Sequence, residues 1–181
     1  RIVFAAAPRT LLDVGGNTGR WALQCVAHDP AVRVTVMDLP AQLGIMREAV
    51  AGAPGADRID GYGADLLNAK TRFPQGFDAI WMSQFLDCFS EEEAVSILTR
   101  ASMSPASKLY IMETFWDRQK YETASFCLAQ TSVYFTALAN GNSKMYHSGD
   151  MERCVEAAGL TVEERYDGLG FGHSIMQCRV R

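Results

Sequence analysis

Short apolar runs punctuated by glycine, proline and aspartate alternate along this chain with longer stretches whose apolar residues recur every three or four positions. Leu11-Leu12-Asp13-Val14 breaks into Gly15-Gly16-Asn17-Thr18-Gly19 and resumes at helical spacing, with Trp21, Ala22, Cys25 and Val26 on one face until Asp29-Pro30 stops it. The pattern predicts a strand, a glycine turn and a helix. Residues 32–37 predict a second strand, and Asp38-Leu39-Pro40 opens a helix with proline near its first position. Residues 58–63, ending near Asp65, predict a third strand, and 77–82, apolar apart from Asp78, a fourth. Ser90 and Glu93 make a capping box for a helix carrying Ala94, Val95, Leu98 and Ala101 inward, and 108–112 predict a fifth strand ending at Glu113.

Residues 119–139 predict a long helix with Phe126, Gln130, Val133, Tyr134 and Ala137 at compatible spacing. After a polar break at 140–148, a shorter helix with Met151, Cys154, Val155 and Ala158 ends at Gly159. Residues 161–165 and 174–180, joined by a loop around Gly168, Gly170 and Gly172, predict two antiparallel closing strands. Alternating strands and helices, with strands that are continuously apolar, imply a sheet covered on both faces. The fold class expected is α/β, doubly wound, with a mostly parallel seven-stranded sheet and an antiparallel last strand.

Composition narrows the picture. With 181 residues, 48% of them hydrophobic, the chain is expected to form one domain over residues 1–181. A formal charge of -4 offers no long-range attraction for nucleic acid or an anionic membrane, so a small-molecule partner is expected. Cys25, Cys88, Cys127, Cys154 and Cys178 are dispersed and odd in number, without metal-ligand spacing, and read as reduced, mostly buried thiols of a cytoplasmic protein. No apolar run approaches the roughly 20 residues of a membrane span, and no signal peptide is evident. The start at Arg1, with the first motif by Leu11, is expected of a fragment lacking an N-terminal portion.

In such sheets ligands sit beyond the carboxyl ends of the strands, where the unusual residues of this chain fall. Gly15, Gly16 and Gly19 allow a tight turn and a close approach to a ligand. Asp38, 19 residues past Gly19, ends the next strand, where a carboxylate accepts from two ribose hydroxyls; Asp65 adds an acceptor suited to an adenine amino group. A dinucleotide fingerprint requires glycine at position 14, which is Val14; this disfavours a nicotinamide-dependent oxidoreductase. A tight turn that binds nothing is the plain structural alternative.

The run from Leu11 to Gly19 resembles the first motif of S-adenosylmethionine-dependent methyltransferases, with Asn17 where many members have glycine. Asn best tolerates a left-handed backbone among the other residues. Met37-Asp38-Leu39-Pro40, Gly63-Ala64-Asp65-Leu66, residues 86–93, 110–113 and Ala157-Ala158-Gly159-Leu160 resemble, in order, the further motifs of the O-methyltransferase family that includes caffeate, flavonoid and hydroxyindole enzymes. The resemblance implies a Rossmann-like class I methyltransferase fold. It also implies S-adenosylmethionine as cofactor, a small phenolic or aromatic acceptor, and a homodimer built through a separate N-terminal helical domain. The cofactor-binding residues it implies are Asp13, Gly15, Gly16, Gly19, Asp38, Leu39, Asp65, Leu66 and Ser83. Gly15 and Gly19 would border the methionine part, Asp38 the ribose, and Asp65 with Leu66 the adenine.

Methyl transfer is an in-line displacement that needs alignment, removal of a proton from a phenolic acceptor, and no metal. The family's base is a histidine after the fourth strand; Leu86-Asp87-Cys88-Phe89 puts Asp87 there. Burial beside Phe85 and Phe89 would raise its carboxyl toward a useful range. Alternatively Asp87 orients a hydroxyl while a ring carbon is methylated, or simply caps the next helix. Glu113 matches the glutamate that steadies the family's base, while the second supporting glutamate, expected near Met145, has no match. Trp116, Phe126, Gln130, Tyr134 and Asn140 fall where the family places acceptor contacts, with a core role for the aromatics as the other possibility. His173 reads as a surface-loop histidine, and His28 and His147 have no partner by spacing. The Asp-Cys-Phe variant and Ala139-Asn140-Gly141-Asn142-Ser143 resemble bacterial methyltransferases of aryl-polyene pigment pathways. Loss of the histidine also motivates a second hypothesis, a cofactor-binding protein that no longer catalyses.

Overall fold

The computed structural model describes residues 1–104, 106, 108–139 and 142–181. They form two compact units, Arg1–Met82 with Ser104–Tyr110, and Ser83–Met103 with Ile111–Arg181. Seven strands follow the hydrogen-bond order β3-β2-β1-β4-β5-β7-β6.

In the first unit β1 (Thr10–Val14) lies between β2 (Arg33–Asp38) and β4 (Ala79–Ser83), and β3 (Ile59–Gly63) pairs with β2, all in parallel. Leu11, Leu12, Val14, Val34, Val36, Ile80 and Met82 are fully buried, as strands covered on both faces require. Each such side chain contributes roughly 1.5–3 kcal/mol. Helix α1 (Arg20–His28) buries Ala22, Cys25 and Val26, and Trp21 stacks on Trp81 of β4 with ring centroids 4.7 Å apart. Helix α2 (Pro40–Val50) starts with proline, whose missing N–H costs nothing in a first turn, and buries Leu43, Met46 and Val50. At the start of β1, Asp78 accepts the amides of Arg9 and Thr10 at 2.7 and 2.9 Å, which hold its carboxyl below the ordinary range.

In the second unit α3 (Glu91–Ser102) carries the predicted capping box: the Ser90 hydroxyl accepts the Glu93 amide and the Glu93 carboxylate the Ser90 amide. Its inner face is Ala94, Ile97, Leu98 and Ala101; Val95 is half-buried, and Ile97 takes the place expected of it. β5 is Lys108–Glu113. Helix α4 (Glu122–Tyr134) is shorter than the pattern predicts, preceded by a 3-10 turn at Trp116–Arg118 and continued by a π-helical segment, Phe135–Ala139. None of its residues is buried, so its aromatics are not core. Helix α5 (Ser148–Ala157) ends at Gly159, whose φ of 76° is the left-handed conformation of a helix stop. β6 (Leu160–Leu169) runs past its predicted end and pairs with β7 (His173–Val180) in antiparallel fashion, with two register shifts.

The expected class, a mostly parallel seven-stranded sheet with an antiparallel last strand, is the one observed. Cys25, Cys154 and Cys178 are buried and Cys88 and Cys127 exposed, all as free thiols. Among the described residues no helix is long and apolar enough to cross a membrane.

Candidate functional site

At the end of β1, Gly15 and Gly19 adopt φ of 69° and 74°, and Asn17 follows at 52°, the left-handed state expected of an asparagine standing for glycine. Gly16 answers a different need. A Cβ there would lie 2.5 Å from Asp13 Oδ2 and 2.9 Å from Val36 Cγ1, so the turn folds directly over the Asp13 carboxyl. That carboxyl is 2% exposed and Oδ2 has no hydrogen-bond partner among the described residues. Burial, and then the negative charge of Asp38, push it up to about 7.

Asp38 closes the same turn from the end of β2. Its Oδ2 accepts the Asn17 amide at 3.0 Å and its Oδ1 the Leu39 amide at 2.8 Å, while Gln42, unforeseen from the sequence, donates to Asn17 Oδ1 at 2.7 Å. The Ala64 amide donates to the Asp38 carbonyl at 2.9 Å, bringing the segment after β3 alongside. There Asp65 is exposed and accepts the Leu67 amide, and Leu66 is buried; Leu39 is half exposed. The structure thus gathers Asp13, Gly15, Gly16, Gly19, Asp38 and Leu39 about one turn, with Asp65 and Leu66 following β3.

In the second unit Ser83, half-buried, ends β4, and Gln84 takes a left-handed φ of 48° that reverses the chain. The turn aims the amides of Phe85 and Leu86 at Glu113 Oε1, at 3.0 and 2.9 Å. Glu113 is 2% exposed, and its Oε2 has no partner among the described residues. Burial and the charge of Asp87 push its carboxyl well above the usual carboxylate range, against the pull of the amides of Phe85, Leu86 and Asp87. Asp87, in the 3-10 turn Leu86–Cys88, is raised by its own burial, with the Cys88 thiol donating to Oδ1 at 3.6 Å in the other direction. Two carboxyls of elevated proton affinity therefore act on each other at the end of β5.

The segment after residue 141 clamps this turn. The Lys144 amide donates to the Asp87 carbonyl at 2.9 Å and the buried Tyr146 hydroxyl to the Phe89 carbonyl at 2.7 Å. Met145, at the place of the missing second glutamate, accepts the Thr114 hydroxyl through its sulfur at 3.5 Å, and its amide donates to Ser132 of α4 at 2.9 Å. The clamp was not legible beforehand, since each bond joins residues far apart in the chain. Of the residues assigned to an acceptor wall, Trp116 is half-buried and meets the edge of the His147 ring, while Phe126, Gln130 and Tyr134 are exposed on α4; Asn140 lies outside the described residues. His147 has partners after all: its Nδ1 accepts the Gly149 amide at 3.0 Å, capping α5, beside Asp117, which accepts both the amide and the hydroxyl of Ser148. His173 starts β7, half-buried, and His28 packs edge-on against Phe4.

Known proteins match this geometry and sequence. The chain is 26% identical to O-methyltransferase SfmM3 of Streptomyces lavendulae, over 97% of this chain and 52% of that protein. It is 23% identical to the L-tyrosine C(3)-methyltransferase of the same organism, over 89% and 44%. The crystal structure of the S-adenosylmethionine-dependent methyltransferase SibL in its apo form superposes with a TM-score of 0.82 at 26% identity, covering 97% of this chain and 52% of that one. The chain thus spans about half the length of these relatives. A family model of the O-methyltransferase domain matches residues 5–161, the span that holds the glycine turn, Asp38, Asp87 and Glu113, and this chain belongs to that family.

Proposed function

We propose that this chain carries the chemistry of methyl transfer from S-adenosylmethionine to a small phenolic or aromatic acceptor. The observation that carries the choice of cofactor is the Asp13 carboxyl beneath the glycine turn, buried and with its Oδ2 unpartnered among the described residues. A partly ionised carboxyl there repels the pyrophosphate of a dinucleotide and favours a ligand that brings positive charge. Family membership points the same way. Asp13, Gly15, Gly16, Gly19, Asp38 and Leu39 are assigned to the methionine and ribose ends, Asp65 and Leu66 to the adenine, and Ser83 to the neighbourhood of the cofactor. When bound, S-adenosylmethionine supplies an electrophilic methyl carbon on a sulfonium.

Asp87 takes the proton of the acceptor hydroxyl. Its elevated proton affinity narrows the gap to a phenol near 10, which an ordinary carboxylate near 3.9 leaves wide. Glu113, fixed by backbone amides, acts as a positioning residue. Trp116, Phe126, Gln130, Tyr134 and Asn140 form the proposed acceptor wall. A second reading follows from Asp87 and Met145 standing where the family has its histidine and second glutamate: Asp87 orients a hydroxyl while a ring carbon receives the methyl, and the relative named for methylation of tyrosine at C3 supports it. Assembly as a homodimer belongs to the same family reading; light scattering on the full-length protein tests it.

Calorimetric titration with S-adenosylhomocysteine is the first test. Binding by the wild type that weakens at least tenfold in Asp38→Ala supports the cofactor site; tight nicotinamide binding instead would sink it. Product from a panel of phenols, reduced roughly 10²- to 10⁴-fold in Asp87→Asn, supports the base, and mass spectrometry of the product separates oxygen from carbon methylation. Cofactor binding with no product from any phenol would favour the non-catalytic hypothesis.

A further inference from the structure

Asp13 occupies an unusual electrostatic position. It sits on β1 in register with Val36 of β2 and Trp81 of β4, so its side chain shares their face of the sheet. The turn above touches it through Gly16. From β2 the group acting on it is Asp38, which repels its charge; from α1 it is Cys25, whose thiol is itself held protonated by burial and by Asp13. Its register neighbour on β4 is the neutral Trp81, whose Nε1 is likewise buried without a partner among the described residues. Among the described residues no cation is among the groups that perturb Asp13. A buried carboxyl with no counter-ion near neutral pH is poised between acid and carboxylate, and whatever charge arrives at the turn decides between them.

S-adenosylmethionine and its demethylated product differ at one atom: the donor has a cationic sulfonium, the product a neutral thioether. We propose that Asp13 reads this difference, binding the donor as a carboxylate and the product as the neutral acid, so that a proton on Asp13 sets the preference for donor over product. Donor binding releases a proton from Asp13 to solvent. Loss of the sulfonium charge when the methyl leaves lets Asp13 take a proton back, which loosens the product. The inference rests on the S-adenosylmethionine reading above and adds to it a discriminating role for a residue that needs no direct hydrogen bond to the ligand.

The experiment is calorimetric titration of the wild-type chain and Asp13→Asn with S-adenosylmethionine and, separately, S-adenosylhomocysteine. Each is run in phosphate and in Tris at several values between pH 6 and 8, so that the difference between buffers counts protons released. The wild type should release up to about one proton per donor bound below pH 7 and markedly less per product. Its donor-to-product affinity ratio should rise with pH by at most about tenfold per unit before levelling off. Asp13→Asn should show neither effect, whereas a proton released by any other group would survive the substitution. Equal proton release with both ligands, or an unchanged difference in Asp13→Asn, overturns the proposal. Should Asp13→Asn fail to fold, the two wild-type proton counts decide alone. A folded wild type that binds neither ligand overturns the cofactor reading itself, and the inference with it.

Discussion

Replacing Gly16 by alanine, with stability measured on the ligand-free chain, tests the packing of the glycine turn. The added methyl would sit 2.5 Å from Asp13 Oδ2, 2.8 Å from its Cγ and 2.9 Å from Val36 Cγ1, separations that real Cβ atoms do not show. Asp13 and Val36 are both buried on central strands, so neither swings into solvent to make room. Overpacking of this kind costs roughly 1–3 kcal/mol. In a chain of this size each kcal/mol moves the melting temperature by about 2–4 °C, so Gly16→Ala should melt roughly 2–12 °C below the wild type. Gly44, in α2, is the internal control: nothing lies within 4 Å of its Cβ direction, and alanine there should raise stability by about 0.5–1 kcal/mol. Calorimetry or urea titration reads both. In an Asp13→Ala background the cost of Gly16→Ala should shrink, because two of the three clashing atoms are gone. A Gly16→Ala protein as stable as the wild type would show that the turn does not press on Asp13 and would remove the geometric basis for its role.

Two further perturbations follow from the same physics. The raised Asp13 carboxyl means that the folded chain binds more protons than the unfolded one between the ordinary 3.8 and about 7, so this residue's contribution to stability is greatest below that window and is lost as pH rises through it. Asp13→Asn should therefore be more stable than the wild type at pH 8 and nearly equal only below the window, at about pH 3.5; thermal melts across that range check it, and a constant difference would contradict the assignment. Ser90→Ala removes the acceptor for the Glu93 amide and should cost about 0.5–2 kcal/mol of equilibrium stability in urea while leaving cofactor affinity unchanged.

What the sequence made legible was local. The glycine turn, the proline start of α2, the capping box at Ser90 and the glycine stop at Gly159 depend on residues within a few positions of one another, and they fall where expected. Non-local pairing was invisible. The cradle of Glu113 depends on amides 27 and 28 positions away, presented by a left-handed Gln84 that no glycine announced. Helical spacing on α4 could not say whether a helix rich in apolar residues meets a core, and Phe126 and Tyr134 stand more than half exposed. Ile97 replaced Val95 on the inner face of α3 for a related reason: with Ala94, Leu98 and Ala101 it completes one stripe at spacings of three and four, whereas Val95 lies about 200° from Ile97 around the axis, and an apolar residue at either position left the sequence pattern ambiguous. His147 lacked a side-chain partner by spacing because the side chains around it, Trp116 and Asp117, precede it by some 30 residues, and its one local partner is the main-chain amide of Gly149.

The Glu113 cradle also bears on why residue 87 departs from its family's histidine. Glu113 Oε1 is held by the backbone amides of Phe85 and Leu86, bonds that any side chain at 87 leaves in place. The turn itself is fastened through the carbonyls of Asp87 and Phe89, taken by Lys144 and Tyr146, again without the Asp87 carboxyl. The base position is thus exchangeable in a scaffold fixed by main chain. Asp87→His should accordingly fold with a loss of no more than about 1 kcal/mol, within the range of ordinary substitutions. Glu113→Ala strands two amides and should cost about 1–3 kcal/mol for each. Urea unfolding compares the two directly. With a phenolic acceptor, the histidine variant should gain activity as pH rises through the ordinary imidazole range near 6.5, where the ring becomes a base. An Asp87→His protein as unstable as Glu113→Ala would mean that the carboxyl at 87 holds the turn together, and its chemical role would then have to be reconsidered as a structural one.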